Sequence, residues 1–350
     1  MIDWESFTTL IDHRAFSDAE AIALNTFQNR IRAEAWPDDL PRPVDDTRDR
    51  LRSMPGFVTF RLWAVWNADN TAIIATASVE MLEEVEHNQH LAFCDISVLP
   101  EMRRQGIGKF LLGKIRDAVR EQGRWLLVFD IDSMVPAGEA FMCRLGADVG
   151  LAEEINELEL DNVNWDLVKG WISRAEERAR GFELGLWDGP FPEEDIDAAV
   201  ELLKVMNTAP KDDLDLGDFE WSADQVRAMD ASWQTRKLER WVMYARHAET
   251  GDLAGYTMVF WNPRDPEILG QADTGVFPQY RGRGLGRWLK AAMVEKVRRD
   301  RPEVKRIRTD NAKSNAPMLK INRELGFKVT KTITAWQVEV DKVEAYLRTS

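Results

Sequence analysis

The chain shows two kinds of apolar patterning, and their order is similar in its two halves. Some segments place apolar residues at helical spacing, and others are continuous apolar runs of strand length. In the first half the predicted helices cover 18–34, 45–52, a segment beginning after Gly106, and 138–145, and the predicted strands cover 57–66, 71–80, 91–99 and 125–131. In the second half the predicted helices cover 193–206, 285–299 and 316–325, and the predicted strands cover 240–247, 253–261, 271–277 and 306–309. This order predicts an α/β (mixed α+β) fold with helices on both faces of a mixed sheet.

A short segment of the first half returns in the second half. Residues 93–108 read FCDISVLPEMRRQGIG, and at an offset of 178 residues 271–286 read QADTGVFPQYRGRGLG, without a gap. The main shared positions are Asp95/Asp273, Val98/Val276, Pro100/Pro278, Arg103/Arg281, Gly106/Gly284 and Gly108/Gly286. A Leu-Gly pair also recurs, at 145–146 and 325–326, two residues out of that register. Repetition of this kind indicates a duplicated domain.

The length of the chain agrees with a duplication. A chain of 350 residues is long for one compact core and suits two domains of about 150–180 residues. We expect an N-terminal domain over 1–165, a connecting helix or linker over 166–182, and a C-terminal domain over 183–350. Each domain is predicted to hold a mixed, mostly antiparallel sheet flanked by helices.

Charge narrows the range of partners. The net charge is −14, whereas nucleic-acid binding requires positive charge clustered over a broad face, so we expect no nucleic-acid partner. Residues 281–308 nevertheless contain eleven Lys or Arg and three acids, and residues 191–230 contain twelve acids and three bases. The basic island suggests one small polyanionic ligand. The acidic run is either a solvated surface or a region that attracts a cationic substrate.

The sequence carries no sign of export or of membrane insertion. Its N-terminus has no basic segment followed by an apolar run, and no window approaches the roughly eighteen uncharged apolar residues of a spanning helix. Cys94 and Cys143 lie in apolar strand-like and helix-like runs, so both are interpreted as buried free thiols. We therefore expect a cytoplasmic protein that binds no membrane and has no metal site.

The repeated segment predicts a binding site for a pyrophosphate. In each copy an apolar strand ends near a proline, and the chain runs through Arg-x-x-Gly-x-Gly into an amphipathic helix. Glycines let the backbone turn tightly and approach a ligand closely, because they have no Cβ atom. Free amides at the helix N-terminus and the helix dipole favour an anion, and Arg281, Arg283 and Arg287 add charged donors.

A glycine-rich loop between a strand and a helix has three other interpretations. A dinucleotide fingerprint requires a third glycine, where this chain has Leu111 and Leu289, and a Walker loop is absent from both copies. The third alternative is a strand-to-helix turn that binds no ligand. Because both copies repeat the arginine and the preceding Val-x-Pro, the sequence agrees much less well with a turn that binds no ligand.

The C-terminal segments DTGVFPQYRGRGLGRWLKAAMVEKV and IRTDNAKSNAPMLKINRELGFKV resemble the GCN5-related N-acetyltransferase (GNAT) superfamily, whose signature loop is Gln/Arg-x-x-Gly-x-Gly/Ala. The resemblance is strongest to its tandem, two-domain bacterial members, a group that includes the mycothiol synthases. It covers residues 271–329, with a shorter match at 98–112. Residues 1–55 and 185–235, which hold the acceptor site in this superfamily, show little similarity. The resemblance implies an acyl-CoA-dependent N-acyltransferase that uses acetyl-CoA or another acyl-CoA.

The resemblance also implies which residues contact the cofactor. Val276 and Phe277 would pair through their backbone with the pantetheine arm, and a backbone amide there would polarise the thioester carbonyl. In the C-terminal copy the implied cofactor residues are Val276, Phe277, Arg281, Gly282, Arg283, Gly284, Leu285, Gly286, Arg287, Asn311 and Asn315. In the N-terminal copy they are Val98, Leu99, Arg103, Arg104, Gln105, Gly106, Ile107, Gly108 and Lys109.

Two departures from the family pattern affect the chemistry. Many relatives carry a tyrosine that protonates the departing thiolate, and here that position is Asn322 in the second copy and Met142 in the first. Asn322 is kept in the candidate catalytic set, although an amide cannot donate a proton as tyrosine does. The first copy has Val135 near the position of Asn315, so the C-terminal copy is the expected catalyst.

Transfer to an amine requires a base that removes a proton from the ammonium form. Asp273 is a candidate base, since it lies on the strand expected to line the thioester, and Val276 is the candidate backbone donor. Strand alternation places Asp273 on the face opposite Val276 unless a bulge intervenes, and a structural role for Asp273 stays open. His247 is an alternative base. Trp221 and Trp233, in or near the acidic run, are candidate partners for a cationic ligand.

The predicted function is acyl transfer to a primary amine by direct attack on the thioester. The acceptor is expected to be a small-molecule or peptide amine, with a cationic amine favoured by the acidic run. The alternative is a non-catalytic CoA-binding or regulatory module, and the missing tyrosines favour it slightly. A protein in which the glycines merely shape turns explains the duplicated arginine and proline poorly.

Overall fold

The computed structural model describes residues 2–349, apart from the side chain at position 176, and the chain divides into two compact units. The N-terminal unit comprises the residues up to Ala152, the segment Lys211–Asp218, and the residues from Ile333 onward. The C-terminal unit comprises Glu153–Pro210 and Phe219–Thr332. Each unit is therefore assembled from parts of the chain that are distant in sequence.

The elements up to residue 159 are β1 Thr8–Ile11, α1 Asp18–Ala35, α2 Val44–Arg52, β2 Val58–Trp66, β3 Ile73–Leu82, β4 Leu91–Val98, α3 Ile107–Glu121, β5 Leu126–Asp132, α4 Pro136–Leu145 and β6 Asp148–Glu159. The later elements are α5 Trp165–Arg178, β7 Phe182–Asp188, α6 Ile196–Leu203, α7 Ala223–Thr235, β8 Glu239–His247, β9 Leu253–Trp261, β10 Ile268–Val276, α8 Leu285–Asp300, β11 Arg306–Ala312, α9 Ala316–Leu325, β12 Lys328–Glu339 and α10 Val340–Arg348. No helix of residues 2–349 combines the length and the apolar character that a bilayer-spanning helix needs.

Both units hold a mixed sheet in which antiparallel pairing dominates, as predicted. In the N-terminal unit the strands are ordered β1-β2-β3-β4-β5-β12, and β4 and β5 are the parallel neighbours. In the C-terminal unit the order is β6-β11-β10-β9-β8-β7, and β10 and β11 are the parallel neighbours. The same arrangement in the two units confirms a tandem α/β architecture.

Local sequence signals explain where several helices begin and end. Ser17 and Glu20 form a reciprocal capping box at the start of α1, with the Ser17 Oγ accepting from the N–H of Glu20 and the Glu20 carboxylate accepting from the N–H of Ser17. Both α4 and α9 have a proline in the first turn and end at a glycine in the left-handed region, Gly146 and Gly326. The repeated Leu-Gly pair is therefore a pair of equivalent helix C-termini.

Helices cover both faces of the sheet in the C-terminal unit. Val168, Trp171 and Ala175 of α5 are buried with the apolar face of α8 in one core cluster. The opposite face packs against α6, where Ala199 and Leu202 are buried. The segment 166–182, predicted as a connecting helix or linker, thus lies almost entirely in a helix that builds the core of this unit. The predicted helix is therefore confirmed, and because its apolar side packs into this core, the segment is not a free linker.

The predicted contiguous boundaries also differ from the structure at the C-terminal end of the chain. The last part of β12 pairs with β5, from Ile333↔Asp132 to Glu339↔Leu126. Val340 and Val343 of α10 are then buried in the core of the N-terminal unit. Strand patterns show where strands form and do not show which strands they join, so sequence alone placed these residues in the wrong unit.

Part of the acidic run also belongs to the N-terminal unit. In the segment 211–218, the backbone of Asp213 and Asp215 exchanges hydrogen bonds of 2.8 and 2.9 Å with the side chain of Gln337. Leu214 and Leu216 pack against an apolar cluster of this unit. We name Lys211–Asp218 the acidic strap. The acidic run is therefore divided between the two units, and the strap belongs to the N-terminal one, although the predicted boundaries placed all of the run in the C-terminal domain.

The two cysteines differ in their surroundings. Cys94 on β4 is buried, and its burial raises the pKa of its thiol well above the ordinary value. Cys143 on α4 is exposed, so its predicted burial was wrong. The apolar spacing of α4 is carried by Met142 and Leu145, and Cys143 lies on the other side of the helix.

Lys290 on α8 leads to a prediction about the pH dependence of stability. Its side chain is 1% exposed, its Nζ lies 4.0 Å from the Met318 sulfur and 5.3 Å from the Phe327 ring centre, and burial lowers its pKa to about 7. The unfolded chain therefore binds more protons than the folded protein between about pH 7 and 10.5, so stability rises with pH across this window. We expect Lys290→Met to stabilise the protein at pH 7 by on the order of 3 kcal/mol and to flatten that rise.

Denaturant unfolding at several pH values measures this effect, and Lys296→Met is the matched control on the same helix. Lys296 pairs with Asp300 at 2.7 Å and lies over the Trp241 ring, so its loss should destabilise the protein slightly. A Lys290→Met protein that is less stable than wild type at pH 7 would contradict the prediction.

Candidate active site

The parallel strands of each unit separate partway along their length. In the C-terminal unit β10 and β11 pair only from Ile268↔Arg306 to Gly270↔Arg308, although β10 continues to Val276 beside β9. In the N-terminal unit β4 and β5 pair only as far as Cys94↔Phe129. Each separation leaves a cleft whose wall is one edge of an extended strand.

The hydrogen-bond pattern shows which groups face this cleft. Phe277 donates its N–H to the Ala254 carbonyl, and its own carbonyl accepts from Tyr280. Because the neighbouring residue of an antiparallel strand points its N–H and C=O the other way, Val276 directs both groups away from β9, toward the cleft. Val276 therefore keeps its predicted place as a backbone donor. Phe277 was wrongly expected to pair with a pantetheine arm, because both of its backbone groups are already bonded.

The N-terminal unit repeats this arrangement at Val98 and Leu99. Leu99 donates to the Ile74 carbonyl and accepts from the N–H of Met102. Val98, like Val276, directs its backbone groups away from the adjacent antiparallel strand. Leu99 is thus excluded from backbone pairing with a ligand, for the same reason as Phe277.

A bulge distinguishes β10 from its counterpart β4. The register of β10 against β9 shifts by one residue between Gln271 and Thr274, whereas β4 pairs with β3 without a shift from Phe93 to Val98. Asp273 lies in the bulge. An extra residue bends a strand and redirects its side chains, so the bulge positions the predicted base at the start of the cleft.

Each cleft ends at a loop whose backbone amides have no hydrogen-bond partner among residues 2–349. Gly282 and Gly284 have φ values of 80° and 81°, and Arg104 and Gly106 have 64° and 88° at the equivalent positions. Among the described residues no hydrogen bond uses the N–H groups of 282–287 or of 104–109. Amides freed by left-handed turns before a helix form a concave anion site. The predicted loop residues Arg104, Gln105, Gly106, Ile107, Gly108, Lys109, Gly282, Arg283, Gly284, Leu285, Gly286 and Arg287 are all brought together in these two sites.

The first arginine of each loop turns back toward its own strand. Arg281 donates from Nε to the Val276 carbonyl at 2.8 Å and from a terminal nitrogen to the Thr208 hydroxyl at 2.7 Å. Arg103 donates to the Val98 carbonyl at 3.0 Å and forms a two-pronged ion pair with Glu34. The guanidinium groups therefore hold the strand end against the loop. Arg281, one of the three arginines expected to donate to a phosphate, thus directs two of its donors to protein oxygens in this structure.

Three of the remaining charged residues of the loops also have protein partners. Arg287 forms a two-pronged ion pair with Glu324 and lies 5.4 Å from the Trp171 ring centre. Arg283 lies 5.7 Å from the Phe182 ring centre. The ammonium of Lys109 donates to the carbonyl of Thr349. The basic island is therefore partly neutralised, and the backbone amides form the main anion site.

Asp273 shares a hydrogen bond with a buried tyrosine. The hydroxyl of Tyr256 donates to Asp273 at 2.8 Å, and Tyr256 is 0% exposed. Burial raises the pKa of Asp273, the Tyr256 hydroxyl lowers it in part, and the charge of Asp310 raises it further. Burial and the neighbouring Asp273 raise the pKa of Tyr256 well above its ordinary value, so this hydroxyl remains a donor.

Asp310 is the acid that sequence reasoning missed. It lies on β11 beyond the last pair with β10, it is exposed, and burial among neighbouring groups nevertheless raises its pKa. Asp273 and Asp310 thus lie on the two strands that separate, and the charge of Asp310 acts on Asp273. Such a pair of acids is suited to accepting a proton from an amine.

Comparison with families of known proteins identifies the family in which this strand–loop–helix arrangement occurs. The family model described as the acetyltransferase (GNAT) family matches the chain twice, over residues 22–133 and 201–327. The two matches together cover more than half of the chain and contain both clefts and both loops. The chain belongs to the acetyltransferase (GNAT) family.

Solved structures show the same fold over nearly the whole GNAT chain. A tandem GNAT protein from the clavulanic acid biosynthesis pathway is 24% identical, covers 95% of this chain and 98% of its own, and has a TM-score of 0.76. A GCN5-related N-acetyltransferase from Sphaerobacter thermophilus is 15% identical, with coverages of 95% and 96% and a TM-score of 0.65. None of the curated proteins matches the chain significantly.

The asparagines of this GNAT protein have structural partners. Asn315 caps α9 by accepting from the N–H of Met318, and Asn322 is 0% exposed and donates to Asn311 at 2.5 Å. A fully buried amide cannot reach a thiolate, so keeping Asn322 in the catalytic set was wrong. Asn311 and Asn315 remain beside the cleft on β11 and at the start of α9. In the N-terminal copy Val135 is the N-cap residue of α4, and Met142 on the same helix is buried.

Three further candidates lie away from Asp273. His247 ends β8, two strands from β10, and packs edge-to-face on Phe182. Trp233 packs against the guanidinium of Arg240 at 4.8 Å, so its cationic partner belongs to the protein. Trp221 stacks on Phe219 with ring centres 5.1 Å apart. None of these contacts brings the three side chains to the candidate base.

Proposed function

We propose that the chain is an acetyl-CoA-dependent N-acetyltransferase that acts on a primary amine in the cleft of its C-terminal unit. One observation carries this proposal: the cleft-facing N–H of Val276, the bulged Asp273 and the free amides of 282–287 lie along one strand–loop–helix path. Each of these three groups would serve a different step of acetyl transfer. The cofactor supplies an acetyl thioester, which a neutral amine attacks.

The residues of the chain suit the steps of that attack. The loop amides would bind the pyrophosphate, and the N–H of Val276 would donate to the thioester oxygen as negative charge develops on it. Asp273 would accept the proton from the attacking nitrogen, directly or through water, while Tyr256 holds the carboxylate in place. The new C–N bond replaces the C–S bond, and the thiolate takes its proton from water, because Asn322 is buried.

Thiol release from acetyl-CoA, measured over a panel of amines, amino acids, polyamines, aminoglycosides and peptides, tests the proposal. Gly284→Ala and Gly106→Ala are matched variants of the two loops, since both glycines have a left-handed φ and no atom closer than 3.7 Å to an added Cβ. We expect Gly284→Ala to lower the rate by at least about tenfold and Gly106→Ala to leave most of it.

The opposite pattern would assign turnover to the N-terminal unit. No thiol release with any amine, in a protein that still binds CoA, would favour the alternative of a non-catalytic CoA-binding module. Circular dichroism of both variants checks that they are folded.

A further inference from the structure

The end of α5 and the start of β7 lie against the glycine loop of the C-terminal unit. Phe182 packs edge-to-face on Tyr280 with ring centres 5.6 Å apart, and the guanidinium of Arg283 lies 5.7 Å from the Phe182 ring centre. Arg178 lies beside Gly284, since a Cβ atom added to Gly284 would be 3.7 Å from the Cβ and 3.8 Å from the Cδ of Arg178. The last turn of α5 therefore borders the N-terminus of α8, where the loop amides are free.

The position of Arg178 follows from the spacing of residues along α5. Trp171, Ala175 and Arg178 follow one another at steps of four and three residues, which places them on one side of the helix. Trp171 and Ala175 are buried in the same core cluster as the apolar face of α8, and the Trp171 ring centre lies 5.4 Å from the guanidinium of Arg287. The packed side of α5 thus fixes the backbone of Arg178 at the start of α8, while Arg178 itself is exposed.

The guanidinium of Arg178 has no partner among the residues that the structure describes, since no hydrogen bond or ion pair uses it. Arg281 and Arg287 differ in this respect, because their side chains donate to Thr208 and Glu324. A cation that lies beside free amides at a helix N-terminus adds to their attraction for an anion. The unpaired donors of Arg178 are therefore available to the oxygens of that anion.

The N-terminal unit places a different group at the equivalent position. The indole Nε1 of Trp4 would lie 4.0 Å from a Cβ atom added to Gly106, and it donates to the Gln105 carbonyl at 3.2 Å. Glu5, the next residue, pairs with Lys114 at 2.6 Å. A neutral donor that already has a protein acceptor thus borders that loop. The two copies share the glycine loop but differ in the charge of the side chain beside its N-cap glycine.

We propose that Arg178 binds a phosphate group of the CoA cofactor, from a helix outside the glycine loop. This inference rests on the proposed function, in which the amides of 282–287 bind the pyrophosphate. The planar guanidinium of Arg178 donates parallel hydrogen bonds to phosphate oxygens, and the opposite charges strengthen them. CoA offers two such groups, the pyrophosphate and the phosphate on the ribose. Both present the same kind of oxygen acceptor to Arg178.

Titration calorimetry with CoA tests this assignment without depending on turnover. We expect Arg178→Gln to weaken CoA binding by about tenfold, because it removes charge-assisted hydrogen bonds. Arg174→Gln is the matched control, since Arg174 lies one turn earlier on α5, carries the same charge, and donates from Nε to the Gly170 carbonyl at 2.9 Å. The control should change the affinity by less than about twofold, because salt screens an exposed charge that does not contact the ligand. Equal affinities of wild type and Arg178→Gln, or equal losses in the two variants, would overturn the proposal.

Steady-state kinetics separates a role in cofactor binding from a role in the fold. Arg178→Gln should raise the KM for acetyl-CoA and leave kcat unchanged, because the phosphates keep the same contacts in the ground state and in the transition state. With dephospho-CoA, the effect of Arg178→Gln should vanish if the ribose phosphate is the partner and persist if the pyrophosphate is. Lower stability to denaturant with unchanged CoA affinity would show that Arg178 serves only the end of α5, and would contradict the proposal. A wild-type protein that binds no CoA would overturn the proposed function as well.

Discussion

Replacing Asp273 by asparagine is expected to lower kcat/KM for acetyl transfer to an amine by about 10²–10⁴-fold at neutral pH. The variant keeps the size of the side chain and can still bond to Tyr256, but it cannot accept a proton from the attacking nitrogen. In wild type the rate should rise with pH as Asp273 loses its proton, and burial places this rise above the ordinary range of an aspartate pKa. Initial rates across a pH series, with CoA affinity measured separately, check both effects.

Tyr256→Phe is the companion variant, because it removes only the hydroxyl that donates to Asp273. Losing a hydrogen bond to the ionised form raises the pKa of a carboxyl group, so the rise in rate should move to higher pH while the plateau survives. If Asp273→Asn retained the wild-type rate and pH profile, Asp310 or water would be the base, and the role given to Asp273 would be wrong.

Replacing Gly284 by aspartate should weaken the binding of CoA by well over about tenfold. The residue sits at φ 81° as the N-cap residue of α8, where the free amides converge. A side chain there is strained, and its negative charge opposes a pyrophosphate in the same concavity. Calorimetry with CoA measures the loss.

Gly251→Asp controls for strain and for net charge. Gly251 has a φ of 79°, lies in the turn between β8 and β9, and has no atom within 4 Å of an added Cβ. The Gly251→Asp protein should lose some stability and should bind CoA with wild-type affinity. A folded Gly284→Asp protein that binds CoA as tightly as wild type would remove the loop from the cofactor site.

The loop and the fold could be predicted because their signals are local. Glycines at fixed spacing after a strand, and before an amphipathic helix, specify a backbone conformation with few alternatives. Gly282, Gly284 and Gly106 all adopt the left-handed values that their positions require. The directions of long side chains are not local properties. Arg281 and Arg287 were placed in the loop correctly, yet their guanidinium groups bind Thr208 and Glu324 from distant segments.

Asp310 and Tyr256 were missed for different reasons. Tyr256 lies in the apolar run of β9, where an aromatic residue is most simply interpreted as core, and only its hydroxyl serves Asp273. For Asp310 a signal was present: the Leu-Gly pair repeats at an offset of 180, and the same offset aligns Asp310 with Asp130. Aligning the two halves at an offset of 180 after the loop would have shown that each copy carries an acid on β5 or β11, the strand that separates from its parallel neighbour.

The interlacing of the two units sets the order in which the chain can mature during translation. As the ribosome completes residue 210, the N-terminal unit still lacks its acidic strap, its sixth strand and α10. The edge of β5 that accepts residues 333–339 therefore stays open until those residues have left the exit tunnel. Nascent domains commonly fold one after the other as they emerge, whereas here the first unit to be synthesised is completed last. An early stop codon anywhere before residue 333 would thus leave both copies of the fold incomplete.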